Sequence, residues 1–172
     1  MTKKELGRRI YEASYLTGEF VLRSGETSDH YFDKYQFEGT PLLLDEISIH
    51  MLQLFPFRFH LLGGLEMGGI PLSTALSLKT GLSMVCIRRK AKEYGTRNIF
   101  EGPSVDNKII VAVEDVVTTG GAIIKAAEAA REFGADINHA LCVIDREEGA
   151  EDNLAKHGIE LRPLFRMSDL KK

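Results

Sequence analysis

Residues 109–122, Ile-Ile-Val-Ala-Val-Glu114-Asp115-Val-Val-Thr118-Thr119-Gly120-Gly121-Ala122, put an acid pair, two hydroxyls and a glycine pair into one short stretch. The apolar β-branched run before the acids reads as a buried parallel strand. Such a strand ends at the crevice where open α/β sheets bind ligands. Thr118, Thr119, Gly120 and Gly121 then offer hydroxyls and unpaired backbone N–H groups at a helix start, where the helix dipole also favours an anion. Glu114 and Asp115 would repel a phosphate, but they suit vicinal hydroxyls, which donate to carboxylates, or a hard cation beside them. Taken singly, the acids suit a turn cap and the glycines a plain helix start. As an ordered string they describe a site for ribose 5-phosphate. A Walker A loop does not explain the string, because the Gly-Lys-Ser/Thr ending is absent, and neither does a Gly-x-Gly-x-x-Gly dinucleotide turn.

Two other segments carry related chemistry. Gly63-Gly64-Leu65-Glu66-Met67-Gly68-Gly69-Ile70-Pro71 is a second glycine-rich strand-to-helix turn. It suits a tight structural turn on its own and a diphosphate seat beside a ribose 5-phosphate site. Glu66 opposes an anion there, so it either reaches a cation through water or points away. Arg88-Arg89-Lys90-Ala91-Lys92-Glu93-Tyr94-Gly95 is a dense basic run leading into a long polar connection. It suits a solvated charged face, or a cationic lid over a leaving group.

The elements that position these residues alternate. Thr2 and Glu5 form a capping-box pattern ahead of Leu6, Ile10 and Ala13 on one helical face. A strand-like stretch from Glu19 to Phe37 breaks near Ser24-Gly25. A helix opened by Pro41 carries Leu44, Ile47, Met51, Leu52 and Phe55 until Pro56 stops it. Strands are predicted at 60–63, 83–87, 108–113, 139–144 and 159–165, with helices at 70–80, 120–133 and 150–157. That alternation implies a doubly wound α/β fold with a parallel sheet and helices on both faces.

Composition narrows the class. The chain has 172 residues with 44% hydrophobic and 27% charged residues, which suits one globular domain. A net charge of −3 argues against nucleic acid as a required partner. Cys86 and Cys142 lie in apolar runs, where a thiol behaves as a small hydrophobe. No apolar run reaches the roughly 18 residues of a membrane span, and Met-Thr-Lys-Lys-Glu-Leu is no signal region, so a cytoplasmic, membrane-free protein is expected.

The 109–122 string resembles the PRPP-binding motif of type I phosphoribosyltransferases, PRPP being 5-phosphoribosyl 1-diphosphate. Within that family the chain is similar to the orotate phosphoribosyltransferases over nearly its whole length. Phe20-Val-Leu-Arg23-Ser24-Gly25-Glu-Thr-Ser28-Asp-His-Tyr31-Phe32-Asp33-Lys34 resembles their base-covering segment, Arg88 to Gly95 their lid, and Asp145-Arg146-Glu147-Glu148-Gly149 their Asp-Arg-x-x-Gly turn. The resemblance implies a central parallel sheet flanked by helices, one domain over 1–172, and a small hood formed by about residues 1–40. It implies transfer of the phosphoribosyl group from PRPP to orotate, giving orotidine 5′-monophosphate and diphosphate, in pyrimidine biosynthesis.

Its residues carry over as follows. Glu114, Asp115, Thr118, Thr119, Gly120, Gly121, Ala122, Arg88, Arg89, Lys92, Tyr94, Met67 and Gly68 would bind PRPP, and Arg23, Phe32, Thr118 and Arg146 would bind orotate. Lys92, Arg23 and Asp115 would be catalytic. Mg²⁺, the implied cofactor, would be held mainly by PRPP near Glu114 and Asp115. Lid residues would be shared across a homodimer. Arg146 offers orotate's carboxylate a planar bidentate donor, and Phe32 offers its ring an apolar face; equally, Arg146 suits an ion pair with its neighbouring acids and Phe32 a core position. Arg23 and Arg89 stand where Lys is usual and Tyr94 where some members carry His. A guanidinium stays protonated, so Arg23 reads as an electrostatic clamp rather than a proton carrier. The rival readings are a phosphoribosyltransferase for another base, such as a purine, and a non-catalytic PRPP-sensing regulator.

Overall fold

A computed structural model describes residues 1–21, 25–90 and 99–170. Helix α1 (Lys3–Ser14) starts where the capping pattern placed it: Thr2 Oγ1 accepts from the Glu5 N–H at 3.2 Å. The reciprocal half of the box is not made, since the Glu5 carboxylate accepts from Arg9 instead. Strands β1 (Tyr15–Val21) and β2 (Thr27–Phe32) pair antiparallel as a separate hairpin. The strand expected to continue to Phe37 ends at Phe32, because the Asp33 carboxylate accepts from the Tyr35 N–H and the Gln36 amide and starts the short helix α2 (Tyr35–Glu38). Pro41 opens α3 (Pro41–Met51), whose last turn tightens into a 3₁₀ segment over Leu52–Leu54.

The main sheet holds β3 (Leu61–Leu65), β4 (Met84–Ile87), β5 (Phe100–Glu101), β6 (Ile109–Val117), β7 (Asp136–Asp145) and β8 (Glu160–Arg166) in the spatial order β5-β4-β3-β6-β7-β8. All pairings are parallel except β4 with β5, an edge too short to show a sequence period. Helix α4 (Gly69–Thr80) packs with α1, α3 and α7 (Met167–Leu170) around Leu72, Leu76, Val111, Val113 and Phe165 on one face. Helices α5 (Gly121–Glu132) and α6 (Ala150–Ala155) pack around Ile110, Ile123, Ala127 and Leu154 on the other. Burial on both faces explains the unbroken apolar runs of β3 and β6. Among the described residues no helix is long and apolar enough to cross a membrane.

The winding reverses between β3 and β6. From β3 the chain crosses through α4 to β4, while β6 proceeds through α5 and α6 to β7 and β8 on the opposite side. The carboxyl ends of β3 and β6 therefore flank a crevice at the point where the strand order reverses.

Candidate active site

A cavity of about 460 Å³ lies at this crevice, lined by Lys34, Leu65, Glu66, Ile87, Arg88, Arg89, Ile99, Glu114, Val116, Thr118, Ala122, Lys125 and Ala126. That volume falls in the range of small-molecule sites. Its wall carries Lys34, Arg88, Arg89 and Lys125 against Glu66 and Glu114, an excess of cations. The Arg88 Nε is buried without a hydrogen-bond partner among the described residues, a donor open to a ligand.

A smaller recess of about 120 Å³ shares Glu114, Val116, Thr118 and Ala122 with this cavity and runs along Thr119, Gly120 and Gly121 to the start of α5. Gly120 caps that helix with φ 80°, a left-handed conformation that costs a side-chain-bearing residue about 1–2 kcal/mol. No side chain caps α5, so the amides of its first turn stay open. From behind, the Asn153 amide donates to the Thr119 carbonyl and the Arg146 N–H donates to the Val117 carbonyl.

The two neighbouring carboxyls of the acid pair hydrogen-bond each other yet differ in what else they meet. Glu114 lines both cavities. Asp115 is wholly buried, with its carboxylate 2.7 Å from the Lys34 ammonium and its Oδ1 accepting from the Val116 N–H at 2.6 Å. Beneath it Gly68 has no room for a side chain: a Cβ there would overlap the Asp115 carboxylate and lie 2.8 Å from Glu38 Oε1. Lys34, Glu38, Gly68 and Asp115 thus form one cluster, with Lys34 on the cavity wall and the other three behind it.

Charge is distributed unevenly in it. Burial would raise Asp115, but hydrogen bonds with Glu38 and Glu114 and the Lys34 ammonium hold it below the usual carboxylate range. Burial and then the Asp115 charge push Glu38 up to about 9 and Glu114 well above the ordinary value. Burial pulls Lys34 down, yet Asp115 and then Glu114 more than reverse this and leave it raised. At neutral pH Lys34 and Asp115 make an ion pair and Glu38 keeps its proton.

The sequence-predicted residues divide into three groups. Glu114, Thr118, Thr119, Gly120, Gly121, Ala122, Arg88 and Arg89 come together around the two cavities. The Glu66 carboxylate accepts from the Arg89 N–H at 3.0 Å and the Arg89 Nε donates to the Glu66 carbonyl, so Glu66 ties the two crevice loops together. Others stand back from the cavity walls. Met67 is exposed, Gly68 lies under Asp115, and Phe32 packs on the core with its ring 6.5 Å from that of Tyr11. Arg146 follows β7 and pairs with Glu148 at 3.2 Å in a half-exposed position. Arg23, Lys92 and Tyr94 lie outside the described residues.

Sequence reasoning assigned nothing to Lys34, Glu38 or Lys125. The signal for the first two was their spacing of one helical turn directly after the Tyr-Phe-Asp segment.

The sequence matches the phosphoribosyl transferase domain family over residues 45–162. It is 46% identical to an orotate phosphoribosyltransferase of a Nocardioides species over 90% of this chain and 87% of the relative. It is 43% identical to that of Natronomonas pharaonis over 99% and 98%. Among solved structures, orotate phosphoribosyltransferase of Mycobacterium tuberculosis superposes with a TM-score of 0.89 at 26% identity, covering 99% of each chain.

Proposed function

This chain belongs to the orotate phosphoribosyltransferase family within the phosphoribosyl transferase domains, and from that premise we propose that it transfers the 5-phosphoribosyl group of PRPP to orotate. The products are orotidine 5′-monophosphate and diphosphate, and the reaction serves pyrimidine biosynthesis. The observation that carries the reading is the union, at one switch-point crevice, of an uncapped helix start, the Glu114 carboxyl and a cation-rich wall.

The 5-phosphate belongs in the recess at Thr118–Ala122, where open amides and the helix dipole meet it. The ribose then extends along Glu114 into the larger cavity, with its diphosphate toward Arg88, Arg89 and Lys34. As the C1–O bond lengthens, positive charge grows on the sugar ring and negative charge on the departing oxygens. Fixed cations therefore stabilise the transition state more than the ground state. Orotate N1 forms the new bond to C1 as diphosphate leaves with the electrons of the broken C1–O bond, and the N1 proton passes to the departing diphosphate or to solvent. Lys92 and Tyr94 belong to the lid that adds charge and excludes water. Arg23 clamps base and PRPP, Phe32 and the hairpin cover the base within a hood of about residues 1–40, and Arg146 exchanges Glu148 for orotate's carboxylate.

Magnesium fits this site as a cation carried by the substrate. Glu114 offers a hard oxygen donor in the cavity, and no group of three or more His, Cys, Asp or Glu side chains able to hold a metal occurs among the described residues. Bound there, it would neutralise charge on the diphosphate. The proposal includes a homodimer sharing lid residues, no nucleic-acid partner and a cytoplasmic location.

Loss of orotate's near-ultraviolet absorbance on adding PRPP and Mg²⁺ tests the reading. Turnover with orotate and none with uracil, hypoxanthine or xanthine is expected. Turnover with a purine alone, or with no base, would overturn it.

A further inference from the structure

Lys34 and Glu38 flank α2 one turn apart and converge on the same carboxylate from two sides. Lys34 reaches Asp115 at 2.7 Å from the cavity wall, where its ammonium covers the carboxylate from the crevice. Glu38 is 8% exposed and approaches Asp115 from behind, beside Gly68. We propose that Lys34 is an exchangeable cover on Asp115 and that Glu38 is the positioning residue that orients this carboxylate. When PRPP enters, the ribose hydroxyls replace the ammonium at Asp115, and Lys34 turns along the wall to the diphosphate. The inference rests on the PRPP reading of the cavity.

Three physical arguments carry it. Glu38 Oε1 is buried without a hydrogen-bond partner among the described residues, beside an Asp115 carboxylate whose Oδ2 already meets the Lys34 ammonium at 2.7 Å. A proton on Glu38 donated to Asp115 satisfies the Glu38 oxygen and holds the rotation of the Asp115 carboxylate when Lys34 leaves it. Second, a buried ion pair gains little net energy over its desolvation, so replacing the ammonium by two hydroxyl donors exchanges partners of comparable worth. Third, lysine is a compact charge on a flexible stem with rotatable bonds. Of the cations on the cavity wall, Lys34 is the one paired with Asp115, and an incoming polyanion is the natural new partner for its charge.

The exchange makes opposite demands on two fragments of PRPP. Ribose 5-phosphate has the hydroxyls without the diphosphate, and inorganic diphosphate the reverse. Calorimetric titration of the wild-type protein, Lys34→Met, Glu38→Ala and Glu38→Gln with each fragment and with PRPP separates the roles, with thermal melts reporting folding. Lys34→Met should bind diphosphate about tenfold or more weakly, the scale of a lost charge-assisted contact, while binding ribose 5-phosphate as well as wild type or better. Glu38→Ala should weaken ribose 5-phosphate and PRPP but not diphosphate. Glu38→Gln, whose amide still donates to Asp115, should restore wild-type affinity.

Equal losses for both fragments in a folded Lys34→Met, or no rescue by glutamine, would overturn the proposal. Wild-type protein that bound PRPP with variants that behaved alike would defeat the exchange alone. Wild-type protein that bound no sugar phosphate would defeat the functional reading and the exchange with it.

Discussion

The two glycine-rich turns that edge the crevice use the same residue for opposite purposes. At the β6–α5 turn Gly120 adopts φ 80° and leaves the first amides of α5 open to a small recess. At the β3–α4 turn Gly68 is right-handed, with φ −69°, and its value is the missing side chain. A Cβ on Gly69 would overlap the Val113 carbonyl, just as one on Gly68 would overlap Asp115. One turn therefore presents backbone to an open recess, and the other lets a helix press against the neighbouring strand and its buried acid. Glycine content alone does not identify a phosphate site; the backbone conformation and what lies opposite it do.

That contrast can be broken by substitution. The largest effect is expected for Gly68→Ala, where overpacking against Asp115 should cost about 1–3 kcal/mol or more together with most of the activity. A variant melting like wild type would show that the β3–α4 turn has slack. Gly120→Ala should cost somewhat less stability, about 1–2 kcal/mol for a left-handed alanine, with an added penalty from Leu154, whose Cγ lies 2.8 Å from the new Cβ. Its signature should be a raised KM for PRPP, and an unchanged KM would detach the recess from the 5-phosphate.

Arg146→Ala extends the comparison to the turn after β7. Removing its guanidinium should raise KM for orotate about tenfold or more, the worth of a hydrogen bond to a charged group, and KM for PRPP far less. Equal losses would leave it as the partner of Glu148 and nothing more.

A last effect concerns pH and separates the turns once more, because the buried protonated acid Glu38 lies behind the β3–α4 turn. Its raised value, about 9 against an ordinary 4.5, means that the folded form holds a proton that the unfolded chain has released. The stability so contributed is full below pH 4.5 and is lost as pH climbs through about 9. Melting temperature should therefore fall from pH 5 to 9. Glu38→Gln should make that fall shallower without abolishing it, since Glu114 is shifted in the same direction. An identical slope in the variant would remove Glu38 from the titration.

The segments that read well from sequence are those whose cause is local. Thr2 caps α1, Pro41 opens α3, and the apolar runs of β3 and β6 mark strands buried on both faces. The Thr118–Ala122 recess is legible for the same reason, since consecutive residues build it. Boundaries slipped where a single side chain or a neighbouring strand decides them. Asp33 ends the second strand of the hairpin early, and β7 begins at Asp136, paired with Ile109, ahead of its strongest apolar run.

The order of chemical groups along residues 109–122, and with it the family, was legible in the chain alone, because sterics, propensity and backbone donors act over a few residues. Only the tertiary structure sent Glu114 to the cavity and Asp115 behind it, and only it joined Asp115 to Lys34, Glu38 and Gly68. Those partners come from distant parts of the chain, and what brings them together is the packing of α2 and α4 against β6, which no local pattern encodes.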